Sequence, residues 1–537
     1  MGNYPPQNFS FQMPMYHSFI PKKIRPWIYV MFAFGFQLSG GMYMGALNEI
    51  IGGHSLMRED VLMCLYSNLA GMAVYFPLLF RMKFRFTNKT LLLASAFIIA
   101  FCNIITPYIE TLPLLWAVCF ICGCAKLQGT FECMSNIQLW ITPKRDFAVF
   151  FPVLQLIILC SIQISDLLTT WFVHHAHWQF MHLFVSAYML IIALSVTILT
   201  KHCRIMPKMP LYGIDWLGAL LWAMLGLELV FIFNYGDFYD WFESPVILSV
   251  FGATLITGAV SIHRMIHIRH PYIEPSMWKT KHLFPILILM ALVECIIVSE
   301  HVLEKIYYST MQFSEYTVAT TLNWYTLIGI VSGSIFSLLW LHKLQYSYYK
   351  LISIGLCAMV AYLGYFYFMI SPDTNIEAFY FPLIMRGFGN CVLSVVFLLS
   401  LKQLVPFLQF FQSLLIFNVI HMFLGGALGS AIYATGMNYY MTDNISRYSS
   451  YMDSVAINPF SFDFSAFIPN FMVSMQMASL KQLYGWVLYV CIFTLLSFML
   501  YDRPYVRKAL RRIPRWKAVG RQMKNVLHIR KFRITTK

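Results

Sequence analysis

The sequence predicts an all-α polytopic membrane protein with fourteen transmembrane helices arranged 6 + 2 + 6. Composition, the spacing of apolar runs and the alternation of basic loops predict it together. Of 537 residues, 59% are hydrophobic, 17% aromatic and only 11% charged, at a mean hydropathy of +0.64. Such a composition excludes a string of soluble domains. A spanning helix needs roughly 20 apolar residues, because hydrocarbon offers no partner to an unbonded backbone group. Runs of this kind lie at 27–49, 58–80, 91–108, 112–138, 147–172, 179–200, 215–234, 245–267, 282–306, 319–341, 349–370, 377–401, 410–434 and 482–501.

After a cytoplasmic leader at 1–26, the first six runs form an N-terminal bundle over 27–200. The linker 201–281 carries an inserted pair, 215–234 and 245–267. A second six-helix bundle covers 282–501 and includes a polar, aromatic extracytoplasmic loop at 435–481, in which Asn444 begins a glycosylation sequon. Lysine and arginine fill the N-terminus (Lys22, Lys23, Arg25) and alternate loops: Arg81 to Lys89, Lys144 with Arg145, Lys201 to Lys208, Arg264 to Lys281, and Lys343 to Lys350. The intervening loops lean acidic, as in "NYGDFYDWFESP", so both termini are expected in the cytoplasm. The first run is too long for a signal peptide's apolar core and lacks a small-x-small cleavage site, which makes it a retained helix. From Tyr501 to Lys537, thirteen Lys or Arg stand against Asp502, net +12 of the formal +15. The tail 502–537 therefore reads as a basic cytoplasmic segment attracted to anionic lipid headgroups.

Twelve cysteines invite a metal or disulfide reading, above all in "VCFICGCAKLQGTFECM", residues 118 to 134. At 100 degrees per residue, Cys122 and Cys124 stand about 200 degrees apart, and Cys133 lies roughly 16 Å along the axis from Cys122. They cannot close on one ion without ligands from other helices, so they read as buried apolar side chains. The histidines invite a membrane di-iron oxidoreductase. His263, His267 and His270 share a helix face, but the charge rule puts them on the opposite side of the membrane from His174, His175 and His177. No nucleotide, hydrolase or metalloprotease motif is present, and no cofactor is implied.

Charges inside spans carry more information. One near the bilayer centre costs on the order of 3 kcal/mol and usually faces a cavity or a partner. Lys126 falls near the middle of the fourth run with Glu132 about two turns inward; Glu294 lies in the ninth and Arg386 in the twelfth. Glu49, Asp166, Glu228, Asn418 and His421 form a second rank, Asp166 as a partner for Lys126. "SEHVLEK", with Glu300, His301, Glu304 and Lys305, reads as a solvated helix end.

Several stretches resemble the fourteen-spanner EmrB/QacA-type drug:proton antiporter branch of the major facilitator superfamily. In "DWLGALLWAMLGLELVFIFNYGDFYDWFESPVIL" they are Asp215, Gly218, Gly226, Gly236, Asp240-Trp241-Phe242, Ser244 and Pro245; in "LGGALGSAI" they are Gly425, Gly426, Gly429 and Ser430. The long segment before the last run also matches. The chain departs where "FRMKFRFTNK" lacks the family's loop glycine and "SIQISDLLTTWF" lacks its Gly- and Pro-rich signature. The resemblance implies a major facilitator fold in which spans 1, 4, 9 and 12 line a central cavity. Lys126, Glu132, Glu294 and Arg386 then form a substrate and coupling cavity. It implies proton-coupled export of amphipathic small molecules, drug-like ones among them, across the cell inner membrane by alternating access. In a Gram-negative host it further implies a periplasmic adaptor and an outer-membrane channel as partners. A lipid or secondary-metabolite exporter is the alternative that fits the departures, and a non-transporting membrane sensor is the alternative of another class.

Overall fold

A computed structural model describes residues 16–40, 47–54, 56–143, 146–202, 210–280, 282–450 and 464–500. Among these residues thirteen helices are long and apolar enough to cross a membrane. The first predicted span is helical over Arg25–Leu38 (α1) and again over Leu47–His54. The others are α2 (Arg58–Arg85), α3 (Asn88–Tyr108), α4 (Leu112–Ile141), α5 (Phe147–His175), α6 (Gln179–Leu199), α7 (Trp216–Tyr235) and α8 (Pro245–His267). They continue as α9 (Leu283–Thr310), α10 (Glu315–Lys343), α11 (Tyr348–Met369), α12 (Ile376–Leu404), α13 (Gln409–Ser449) and α14 (Phe467–Leu500). The chain is a multi-pass, all-helical membrane protein. Residues 1–15 of the leader and the basic tail 502–537 lie outside the described residues.

Helix starts follow local chemistry. The Thr87, Asp146, Asp215 and Ser244 side chains accept from backbone N–H groups of the first turns of α3, α5, α7 and α8, and Pro245 begins α8 with its ring in place of an unused donor. Asp215 also binds Arg264 at 2.8 and 2.7 Å, clamping the start of α7 to the end of α8. A Cβ on Gly218 would lie 2.1 Å from the Asp215 carboxylate, so the inserted pair needs a glycine there. Across the turn, Asp240 and Trp241 take left-handed φ of 53°, and a Cβ on Gly236 would meet the Trp241 ring at 2.7 Å.

Close helix crossings organise the packing. A Cβ on Gly71 (α2) would lie 2.1 Å from the Phe120 carbonyl oxygen, and one on Gly123 (α4) 2.0 Å from that of Asn68. The same reciprocal arrangement recurs between α10 and α12, where Gly329 would meet the Ile384 oxygen at 2.3 Å and Gly387 the Thr326 oxygen at 2.4 Å. Helices α1 to α6 pack on one another, as do α9 to α14; α2 against α13 and α5 against α10 and α12 join the two groups. Helix α7 packs on α2 and α13, whereas α8 packs chiefly on α7.

The predicted extracytoplasmic loop 435–481 differs from expectation. Helix α13 runs 41 residues to Ser449 and α14 starts ahead of Phe467, while 451–463 lie outside the described residues. At 1.5 Å per residue α13 reaches about 60 Å, roughly twice the thickness of a hydrocarbon core. Polar residues here extend the two helices beyond the apolar layer. They are clasped there by Asn444, whose Nδ2 donates to Ser479 Oγ at 2.9 Å and Gln482 Oε1 at 3.2 Å.

Candidate functional site

The site is built from α9, α12 and α13. Near mid-α12, Arg386 is 7% exposed. Its Nη1 donates to Glu304 Oε2 at 2.5 Å, its Nη2 donates to Thr326 Oγ1 at 2.9 Å, and its Nε lies 3.3 Å from Glu300 Oε2. One guanidinium is thereby shared by two carboxylates. Glu304 also accepts from the Tyr362 hydroxyl at 2.5 Å and the Tyr308 hydroxyl at 3.2 Å. Both carboxylates sit on a π-helical turn, Glu300–Glu304, within α9. Such widened turns are uncommon and recur at functional sites, because they redirect side chains from the regular helical register.

A second pair lies about 9 Å along α9 from Glu300, at a 1.5 Å rise per residue. Glu294 Oε2 stands 2.8 Å from His421 Nδ1. His421 belongs to a π-helical stretch, Ile420–Leu428, that also holds Gly425 and Gly426. The glycines resembling a close-packing motif do pack closely: a Cβ on Gly425 would lie 3.1 Å from Glu294 Cβ, one on Gly426 2.7 Å from the Tyr66 ring, and one on Gly429 2.6 Å from Val298. The His421 and His301 side chains are 50% and 47% exposed, whereas those of Glu294 and Glu304 are 8% and 3%. The cluster thus has one accessible edge, formed by two imidazoles. At the end of the bundle where α2 finishes and α13 begins, phenylalanines join the two helix groups: Phe80 lies 5.6 Å from Phe407, Phe131 5.7 Å from Phe411, and Phe151 6.4 Å from Phe410. The Lys402 ammonium covers the Phe147, Phe407 and Phe410 rings at 5.4 to 5.9 Å.

The structure unites Glu294, Arg386 and His421 in this region, while the other sequence candidates have other neighbours. Glu132, fully buried, accepts from Asn88 at 2.6 Å, Gln128 at 3.1 Å and Lys83 at 3.3 Å. Tyr29 donates to Asn88, so the carboxylate ties α1, α2, α3 and α4 together. It does not pair with Lys126, from which it stands about 120 degrees around the helix. Lys126 is 6% exposed, against Gly40 and Asn68. Asp166, expected beside Lys126, instead accepts from Asn323 of α10 at 2.7 Å, across the junction of the two helix groups. Glu228 accepts from Thr257 of α8 at 3.2 Å and belongs to the inserted pair. Asn418 donates to the Leu414 carbonyl of its own helix at 2.9 Å. Glu49 falls on the short helix Leu47–His54, and its side chain lies outside the described residues.

Glu300 and Glu304 are the residues that the sequence reading missed. "SEHVLEK" is not a solvated helix end: Glu304 is 2% exposed, because α9 continues for another turn and a half of apolar and aromatic residues to Thr310. The signal was the Ile306, Tyr307 and Tyr308 run that follows, together with the i, i+4 spacing that puts both carboxylates on one face. Among the described residues no disulfide is formed, and no group of three or more His, Cys, Asp or Glu stands where it could hold a metal. Outside the spans, burial holds the phenols of Tyr16 and Tyr272 above the ordinary tyrosine range, so both act as neutral donors, to the Arg25 and Val74 carbonyls.

No family model and no curated protein matches the chain. Solved structures do match it in fold. A peptide transporter solved with sulfate superimposes with a TM-score of 0.59 at 14% identity, covering 94% of this chain and 98% of that one. A bacterial homologue of the human lysosomal transporter Spinster, inward-facing and unoccupied, gives 0.52 at 10% identity, with 91% and 98% covered. The major facilitator superfamily proton:xylose symporter XylE gives 0.50 at 10%, with 89% and 95% covered. The chain has the major facilitator fold.

Proposed function

We propose that this chain is a proton-coupled secondary transporter that exports amphipathic small molecules across the cytoplasmic membrane, with both termini on the cytoplasmic side. Two six-helix halves rock about a mid-membrane site. The observation that carries the reading is the sharing of Arg386 between Glu300 and Glu304 beside the Glu294–His421 pair. Three carboxylates face one guanidinium and two imidazoles, His421 on Glu294 at 2.8 Å and His301 on Glu300 at 3.3 Å, so the cluster with ionised carboxylates keeps a net negative charge unless both imidazoles are protonated. Burying unbalanced charge at membrane depth is costly. Proton occupancy of the cluster therefore changes whenever its accessible edge is opened or closed, which is the differential stability that coupling requires.

The phenylalanine closure at one end and the half-exposed imidazoles support an arrangement in which the cluster is reached from one side at a time. Since Arg386 is committed to carboxylates and Thr326, it is not available to a solute's anionic group. In a Gram-negative envelope the sequence resemblance extends the reading to a periplasmic adaptor and outer-membrane channel.

The test is flux of fluorescent amphipathic solutes in proteoliposomes under an imposed pH gradient. The wild type is expected to move solute until the gradient is dissipated, and Glu294→Gln, Glu300→Gln and Glu304→Gln to lose gradient-driven flux. Flux indifferent to the gradient, or unchanged in all three variants, sinks the reading.

A further inference from the structure

We infer that the segment 268–280, between α8 and α9, is a strap that ties α2 to α13 and must release α13 before the two helix groups part at that end. The end is the cytoplasmic one in the transport reading above, on which this inference rests. The segment reads "IRHPYIEPSMWKT". Proline fixes its own φ and keeps the residue before it extended, so Tyr272, Ile273 and Glu274, set between Pro271 and Pro275, have little slack. Glu274 is extended, at φ −75° and ψ 125°, and a short 3-10 turn, Pro275–Lys279, follows it. Ile273 and Met277 are 1% and 0% exposed, so the segment is packed into the protein rather than looped over it.

The strap is anchored on both helix groups. Tyr272, itself buried, donates its hydroxyl to the Val74 carbonyl of α2. Val74 stands well before Arg85, the last residue of α2, so the phenol reaches about 16 Å along that helix from its end. Two positions later Glu274 grips α13: its N–H donates to Gln412 Oε1 at 3.2 Å, and its Oε2 accepts from Gln409 Nε2 at 2.7 Å. Gln409 Nε2 also donates to Ser276 Oγ at 2.7 Å. The same two helices meet through Phe80, 5.6 Å from Phe407 and 5.7 Å from Phe411. Two extended residues span at most about 7 Å. While both anchors hold, α2 and α13 stay together at this level, and any rocking that parts them breaks one anchor first. Water readily replaces the exposed hydrogen bonds to Gln409 and Gln412, whereas the Tyr272 hydroxyl is buried. The strap therefore stays on α2 and lets go of α13.

The experiment is hydrogen exchange read by mass spectrometry on the full-length protein in nanodiscs, with no solute and no gradient. Tyr272→Phe keeps the ring and removes only the α2 anchor; Gln409→Ala with Gln412→Ala removes only the α13 anchor. Each variant is expected to speed exchange about threefold or more on the helix it leaves unaltered: Tyr272→Phe over 409–415 of α13, and the double glutamine variant over 78–85 of α2, with α6 and α11 unchanged. Acceleration confined to 268–280 and the altered helix, or spread evenly over all helices, overturns the strap. Reciprocal acceleration in a protein that shows no gradient-driven flux supports the strap and removes the transport reading; gradient-driven flux without reciprocal acceleration does the reverse.

Discussion

Arg386 and Glu304 meet at 2.5 Å between α12 and α9, and Glu300 approaches the same guanidinium at 3.3 Å. Removing the cation leaves two carboxylates buried together, and breaking a buried pair from one side costs about 3 to 5 kcal/mol. Arg386→Met is therefore expected to lower the thermal midpoint markedly. Glu304→Gln, which can still accept from Tyr362, is expected to lower it less. The double variant Arg386→Met with Glu304→Gln should recover part of the loss. Heating in detergent followed by size-exclusion recovery checks the order; an Arg386→Met protein as stable as the wild type contradicts the pairing.

The Glu294–His421 contact at 2.8 Å predicts a coupled pair. Residues in direct contact show interaction energies of about 0.5 to 3 kcal/mol in double-variant cycles. Glu294→Gln and His421→Asn should each flatten the dependence of flux on pH between about 5.5 and 8, the range in which imidazole titrates. The two together should be no worse than either alone. Fully additive losses in flux would show that the groups act separately.

Two helix crossings depend on glycine for steric reasons. Alanine at Gly123 or Gly387 would place its Cβ 2.0 or 2.4 Å from a backbone oxygen of the facing helix, which has no flexible end to move aside. Over-packing of this kind costs about 1 to 3 kcal/mol. By contrast a Cβ at Gly252 of α8 meets nothing within 4 Å. There Gly→Ala should be neutral or gain up to about 1 kcal/mol through helix propensity. Thermal midpoints of the three variants separate the cases, and similar losses in all three would mean that the crossings are not tight.

What was legible in the sequence followed from the physics of single helices. Apolar length located the spans, and depth within a span picked out Lys126, Glu132, Glu294 and Arg386 as residues needing partners. Which partner each takes depends on helix rotation and crossing, which one strand of sequence does not encode. Glu132 turned to Lys83 and Asn88 because the α2–α3 connection passes over α4 at that level. Glu304 was hidden because it falls in the last turn of the run at 282–306, where clustered charges are expected to meet water, whereas tertiary packing carries α9 on through a π-turn to Thr310. Polar composition likewise made 435–481 resemble a loop, although Asn444 bonds Ser479 directly and Gln482 lies in the extended part of the facing helix.

That last arrangement bears on the sequon at Asn444. An acceptor asparagine must present its amide to a transferase, yet Asn444 is 4% exposed and its Nδ2 is already donated to Ser479 and Gln482. Produced through a eukaryotic secretory pathway, the folded chain is expected to leave Asn444 unmodified, with no mass change on glycosidase treatment. Asn444→Ala should cost about 1 kcal/mol, the net worth of a lost hydrogen bond, and should speed hydrogen exchange in α13 and α14 near Ser449 and Phe467 while leaving exchange around Arg386 unchanged. A glycan on the mature, folded protein would mean that the two helices part at this level, and the clasp between them would have to be abandoned.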